Sequence, residues 1–383
     1  MTDHMPDDLS AVGRDLRAYT DELRPQHAIV KNIAGEWVLL RHAEVVAAAL
    51  DHERFSSAVS RYLQVPNGLD GDEHSRYRAL IDKYLTPAAL APFVPEFERI
   101  AAELVSSLPR SGTVIDAVHD IGAVFAVRAQ FAWLGWPQAL EAQLLEWMQQ
   151  NHAATRSGEQ AQTAAAAEHF DTIIRSVLAI EPTANEALTV TQQLCQEKID
   201  GRLLSEAELV SILRNWTGGD LGSMALCIGV LVAYLITEQA HNPELLQQLR
   251  QASNKELELF IDEVLRLDNP FISNRRVTTC PVHIAGRDIP KGARVKLNWT
   301  SANRDSRVFA ENSFKPKQHA ANNLVYGIGK HVCPGRTLAT WQLRIALQAL
   351  LQGIDSIKQA PNLALEREVA PVGGYHFVPI VVS

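Results

Sequence analysis

Tyr326-Gly327-Ile328-Gly329-Lys330-His331-Val332-Cys333-Pro334-Gly335-Arg336 is a glycine-punctuated loop with one thiol, and it runs straight into an apolar helical pattern. That pattern continues through Leu338, Ala339, Trp341, Leu343 and Leu350. Pro334 suits the first helical position, where its missing N–H has no partner to lose. A cysteine at such a start feels unpaired backbone N–H groups and the positive end of the helix dipole, and both favour the thiolate. Gly327, Gly329 and Gly335 let the backbone approach another group closely. A flat, bulky cofactor pressed against a thiolate is one thing that needs this arrangement. A buried free cysteine in a turn is the plainer alternative.

The stretch closely resembles the haem-ligand loop of the cytochrome P450 family, Phe-Gly-x-Gly-x-His-x-Cys-x-Gly. Every fixed position is present except that Tyr326 replaces the phenylalanine. Other matches follow in the family's order. Glu263-Val264-Leu265-Arg266 is similar to its Glu-x-x-Arg helix, where residues three apart share a face and can pair. Pro270 follows, then Arg275-Arg276 and Ala302-Asn303-Arg304-Asp305. Upstream, His74-Ser75-Arg76-Tyr77-Arg78 sets His and Arg four apart, so that on a helix they project from one face and can clamp an anion. The resemblance implies that Cys333 is the thiolate ligand of a haem b iron. It also implies that His74, Arg78, Arg276 and His331 contact the haem propionates, with Tyr326 opening the loop. Taken singly, the His-x-x-x-Arg pattern and the arginine pair read as solvated faces.

Two departures from the family are visible. Where it has Phe-x-Pro-x-Arg, this chain has Phe314-Lys315-Pro316-Lys317-Gln318. An uncharged amide stands for the arginine of a buried ion network, with His319 next door able to help. The second departure is in Trp216-Thr217-Gly218-Gly219-Asp220-Leu221-Gly222-Ser223. Aligned on Asp220, it puts Leu221 where the family has a threonine. Paired glycines in a helix cost about 1 kcal/mol each, a cost tolerated where the backbone opens or is approached closely. A plain kink is the other reading. Asp220 is the candidate proton relay, and Leu221 offers no hydroxyl. Ser223 either supplies one or back-bonds to the Gly219 carbonyl, and water or substrate can fill the role. Leu213 and Trp216 share the Asp220 stripe. In the family that stripe faces the substrate pocket, so Leu213, Trp216, Gly219 and Leu221 are pocket candidates, with core packing the alternative for Trp216.

Composition fits a soluble globular protein: 383 residues, 21% charged, 46% hydrophobic. A net charge of −8 and a pI near 5.9 do not suggest a nucleic-acid binder. Cys195, Cys227, Cys280 and Cys333 lack metal-ligand spacing and suit a reducing cytoplasm. Residues 1–8 are acidic and polar, unlike a signal peptide or anchor. The longest apolar run, residues 224–236, has 13 residues and reads as a core helix, too short to span a bilayer.

The periodicity predicts β-rich runs over 28–40 with a turn at Gly35, a helical middle over 41–267 with a long helix over 205–237, and short strands over 277–299. A helix follows Cys333, and a strand closes the chain at 377–382. The expected fold is mainly α with a small β region built from both ends of the sequence, as one large domain over 1–383. The resemblance implies a soluble bacterial-type monooxygenase acting on a small, hydrophobic or aromatic molecule. No flavin or iron–sulfur signature is present, so electrons must come from separate redox partners, for which the resemblance implies a ferredoxin and its reductase. Lys315, Lys317, Lys330 and Arg336 offer a basic patch for an acidic donor. A peroxide-driven enzyme of the same type and a non-catalytic haem or gas-sensing protein are the alternatives.

Overall fold

The β-branched runs Ile29–Asn32 and Trp37–Leu39 form a hairpin around Gly35, whose φ of 76° is a conformation that glycine adopts without strain. In this computed structural model the described residues are 4–5, 14–110, 112–184, 186–310 and 313–383. Most of the acidic segment 1–8 lies outside them. The hairpin belongs to a six-stranded sheet in the order His4–Met5, Ile29–Asn32, Trp37–Leu39, Arg294–Asn298, Ser273–Thr278, Phe55–Ser56. Trp37–Leu39 pairs in parallel with Arg294–Asn298, which pairs antiparallel with Ser273–Thr278. Inward residues Leu39, Val295 and Leu297 pack with Val45, Ala48, Trp299 and Leu324 into one core.

This sheet lies in the first of two compact units, made of Met1–Ser75, Leu259–Pro334 and Glu368–Gly374. The second comprises Arg76–Glu258, Gly335–Arg367 and Tyr375–Ser383. The strand expected over 377–382 is two strands, Tyr375–Phe377 and Pro379–Val382. The latter pairs with Ile357–Gln359 and Ile115–Asp116 inside the second unit. The six-stranded sheet thus joins strands from the N-terminal stretch to strands within 273–298, as expected, while the closing strand Pro379–Val382 belongs to a separate sheet.

The second unit is built around the helix Glu206–Glu238. Ser205 accepts the Glu208 N–H while the Glu208 carboxylate reaches back to the Ser205 N–H, a reciprocal cap that fixes where the helix begins. Glycines admit its neighbours. A Cβ on Gly122 would stand 2.7 Å from the Ala225 carbonyl oxygen, and one on Gly229 2.6 Å from the Val118 Cγ2. By length and composition this helix could cross a membrane, with a hydropathy of 1.9 over an 18-residue window, longer than the run counted in the sequence. Within that window 61% is buried, as in a core helix.

The helix after the cysteine loop is Arg336–Gly353, with Gly335 as its N-cap. Pro334 thus precedes the helix instead of opening it. A residue before proline is driven away from helical ψ, so Cys333 stays in the extended loop.

Candidate active site

Two glycines set the path of the cysteine loop. Gly327 has φ 70° and Gly329 φ 77°, values that ordinary side chains rarely adopt. A Cβ on Gly329 would also crowd the Leu50 Cδ2 at 3.0 Å and the Ala49 carbonyl at 3.3 Å. The Gly327 N–H donates to the Leu324 carbonyl at 2.9 Å, and the Cys333 N–H donates to the Tyr326 carbonyl at 2.9 Å. The loop folds back on itself and presents at its end a partly buried thiol that is in no disulfide.

A buried ion cluster holds the base of this loop. The Arg266 guanidinium donates to both Glu263 oxygens, from Nε at 2.8 Å and from Nη2 at 2.9 Å. Both side chains are sealed from solvent, so this is far from the surface pair that spacing alone suggests. Arg266 Nη1 donates to the Asn303 carbonyl at 2.6 Å, and Asn303 Oδ1 accepts the Leu324 N–H at 2.8 Å. The His319 Nδ1 lies 2.6 Å from Glu263 Oε1, which also accepts the Lys315 N–H. Gln318 is exposed. The imidazole of His319 therefore occupies the position that sequence alignment assigns to Gln318.

Burial alone would raise the Glu263 carboxyl, but Arg266, the Lys315 N–H and His319 outweigh it and hold the pKa below its ordinary value. A carboxyl depressed on folding contributes stability that is full above its ordinary pKa and is lost as pH falls through the folded one. We expect Glu263→Gln to cost about 3–5 kcal/mol at pH 7, as breaking a buried pair does. Its deficit should shrink as pH drops below the ordinary glutamate range. Denaturant melts of the haem-loaded protein at pH 7 and pH 4 check this, and a deficit that does not change with pH counts against it.

Beside the loop, the His331 and His74 rings lie 4.2 Å apart. His331 Nε2 is 3.2 Å from the Ser57 hydroxyl and 3.6 Å from Asp70 Oδ1. Arg276 is buried, and burial lowers its pKa against the opposing pull of Asp70. Its Nη1 donates to the Arg275 carbonyl, and among the described residues no carboxylate comes within 4.0 Å. Arg275 instead pairs with Glu36 at 2.8 Å. Arg78 donates from Nε to Asp82 at 2.9 Å. Of the four residues expected to meet an anion, the first unit brings His74 and His331 together, while Arg78 is engaged one helical turn along its own helix.

The glycine-rich turn of the long helix holds the remaining candidates, all in the second unit. Gly218 abuts Phe170 and Trp147, whereas nothing comes within 4 Å of where a Gly219 Cβ would stand. Asp220 accepts a short hydrogen bond from the buried Gln130 amide. Burial, only partly offset by Gln130, raises the Asp220 pKa to about 6. The Ser223 hydroxyl donates to the Gly219 carbonyl at 2.9 Å, the back-bonded option. Leu213 and Leu221 are wholly buried, and Trp216 packs between Trp133 and Tyr84, with ring centroids at 5.1 and 5.6 Å. Gly219 is the exposed one of the four. At 3.6 residues per turn, Leu221 points about 200° away from Gly219, so alignment on Asp220 puts the leucine in the interior. Gln130, Ser57 and Asp70 escaped the sequence reading because isolated polar residues carry no pattern.

A family model described as Cytochrome P450 matches residues 232–357. Cyclomarin C epoxidase CymV of Salinispora arenicola is 26% identical over 375 residues, covering 90% of this chain and 90% of the relative. Epothilone C/D epoxidase of Sorangium cellulosum is 28% identical over 372 residues, 89% and 84% of the two chains. The chain belongs to the cytochrome P450 family. Its fold is also that of the P450 CYP109Q5 from Chondromyces apiculatus, with a TM-score of 0.84, 22% identity and 100% and 99% coverage. Ligand-free P450 TbtJ1 gives a TM-score of 0.83 at 24% identity, covering 98% of each chain. This P450 is a haem-thiolate monooxygenase, an oxidoreductase whose cofactor is haem b. Its own residues fit such a group. A loop that only glycines can trace carries the thiol, and the buried Arg276 guanidinium suits an anionic substituent.

Proposed function

We propose that this P450 inserts one oxygen atom of O2 into a small, hydrophobic or aromatic molecule, using electrons from a separate ferredoxin and ferredoxin reductase. The observation that carries the reading is the cysteine loop, with its thiol at the end of a glycine-shaped turn. Cys333 is the iron ligand, and residues 1–383 act as one catalytic domain. Haem b held by a thiolate supplies the iron at which oxygen is activated. Arg276 and His331 bind propionate oxygens through charge-assisted hydrogen bonds, with His74 against the His331 ring and Arg78 completing the set. Tyr326 fixes the loop through its carbonyl.

Asp220 holds and releases a proton close to neutral pH, because burial brings its pKa to about 6. Ser223 donates to Gly219, yet its oxygen keeps lone pairs free to accept from Asp220, from water or from substrate. Gly219 leaves the helix face open where a substrate is approached. Two relatives are named epoxidases, so an alkene belongs among the substrate classes to screen. Lys315, Lys317 and Lys330 give the first unit basic groups to meet an acidic donor, within a chain of net charge −8. A soluble, cytoplasmic setting in a bacterium accords with this chemistry, with neither nucleic acid nor membrane as a partner.

Purified protein supplied with ferredoxin, ferredoxin reductase, NADPH and O2 should oxidise aromatic or terpenoid compounds that shift its haem spectrum. Product formed with hydrogen peroxide alone would replace this proposal with a peroxygenase. That second reading is favoured by the alkyl side chain of Leu221 and the engaged Ser223 hydroxyl.

A further inference from the structure

The imidazole of His152, on the helix Glu141–Ser157, rests against the long helix at Gly222. A Cβ on Gly222 would stand 3.0 Å from the His152 Nε2 and 3.9 Å from its Cδ2 and Cε1. The missing side chain is therefore what admits the ring. Gly222 lies three residues beyond Gly219, on the same side of the helix, and at Gly219 the surface is open. The ring is held uncharged: burial first, then Arg156 and His119, lower its pKa to about 4. At pH 7 it presents one N–H and one lone pair without a charge. Among the described residues it makes no hydrogen bond or ion pair. A polar ring in that state can match a neutral oxygen, whereas pairing with a carboxylate would call for an imidazolium that burial opposes.

We infer that His152 is a specificity-determining residue, whose imidazole binds a single uncharged oxygen, as a ketone, ester or hydroxyl, on an otherwise apolar substrate. This rests on the monooxygenase reading proposed above. The seat at Gly222 fixes the ring against the helix, so the bound oxygen registers the rest of the substrate along the open face at Gly219. Discrimination comes from the hydrogen bond and not from shape, because a hydrocarbon of the same outline offers the half-buried imidazole no partner.

The test compares cyclododecanone with cyclododecane on the haem-loaded protein. Affinities are read from the change in haem absorption and checked by equilibrium dialysis. Wild type should bind the ketone about tenfold more tightly than the hydrocarbon, the value of one good neutral hydrogen bond. His152→Phe should erase that ratio while moving the hydrocarbon affinity by less than about twofold. His152→Gln should keep part of the ratio through its amide N–H. Gly222→Ala, which displaces the ring, should reduce the ratio without touching His152. The inference is overturned by a wild-type ratio near unity, by a ratio unchanged in His152→Phe, by equal loss for both rings, or by no binding of either up to its solubility. The thiolate-type carbon monoxide band is recorded first. Its absence in wild type would defeat the monooxygenase reading itself, and its presence with no ketone preference would defeat only the role of His152.

Discussion

Cys333→Ser should give a protein that, once reduced, lacks the thiolate-type carbon monoxide band completely. A hydroxyl does not ionise near neutral pH, so it cannot supply the anionic sulfur that the loop presents. The loop itself should survive, because its shape depends on Gly327, Gly329 and the Cys333 N–H bond to Tyr326, none of which uses the side chain. Serine at Cys195, Cys227 or Cys280 should leave the band intact. These thiols are likewise in no disulfide, but burial pushes the Cys195 thiol up, away from the thiolate, and none sits in a glycine-shaped loop. Absorption spectra of the four reduced variants under carbon monoxide decide the matter. If the band persists in Cys333→Ser, or vanishes in one of the other three, Cys333 is not the ligand.

The second large effect is expected at Asp220. Asp220→Asn keeps the shape and removes the titrating group, so ferredoxin-driven turnover should fall by about 10²–10⁴-fold, the usual worth of a positioned acid or base. In wild type the acid form predominates below pH 6 and declines above it. Product formed per electron consumed should therefore fall as pH rises through about 6, and Asp220→Asn should lose that inflection. Linkage supplies a control. A carboxyl whose pKa is raised on folding stabilises fully below its ordinary pKa and loses that contribution as pH rises through the folded value. The asparagine variant should then be no less stable than wild type at pH 8, and unfolding cannot account for its slow turnover. Ser223→Ala separates the routes: a large loss places the hydroxyl in the relay, and little change leaves water or substrate there. Full oxygen-dependent activity in Asp220→Asn would end the relay proposal.

Much of this architecture is readable in the amino-acid order because it depends on local rules. Gly35 in its hairpin, Ser205 with Glu208 at the head of the long helix, and the cysteine loop each announce themselves within a few residues. What periodicity cannot say is which element covers which face. Leu221 sits beside Asp220 in the sequence, but its direction is set by the helix turn, and it ends wholly buried. Likewise Gln318 holds the expected place in its motif, while the short helix Pro316–His319 turns His319 inward to Glu263. One residue of register, invisible in the text, decides which side chain meets a buried carboxylate. Gln130 and His152 illustrate the other limit: each gains meaning only from a partner on a distant helix.

The interleaving of the two units has a consequence for how the chain is made. The parallel pairing of Trp37–Leu39 with Arg294–Asn298 joins residues separated by 258 positions, as from Leu39 to its partner Leu297. At a synthesis rate of about 5–20 residues per second, the first strand waits roughly 13–50 s for its neighbour. Through that interval Leu39 lacks Val295 and Leu297, which share its core in the finished sheet. Cys333 emerges later still, so the nascent chain has no thiol loop to offer a cofactor until most of it has left the ribosome. Stalling or truncation anywhere before residue 294 should thus yield an aggregation-prone product that takes up no haem, and holding chaperones would be most needed over the middle two-thirds of translation.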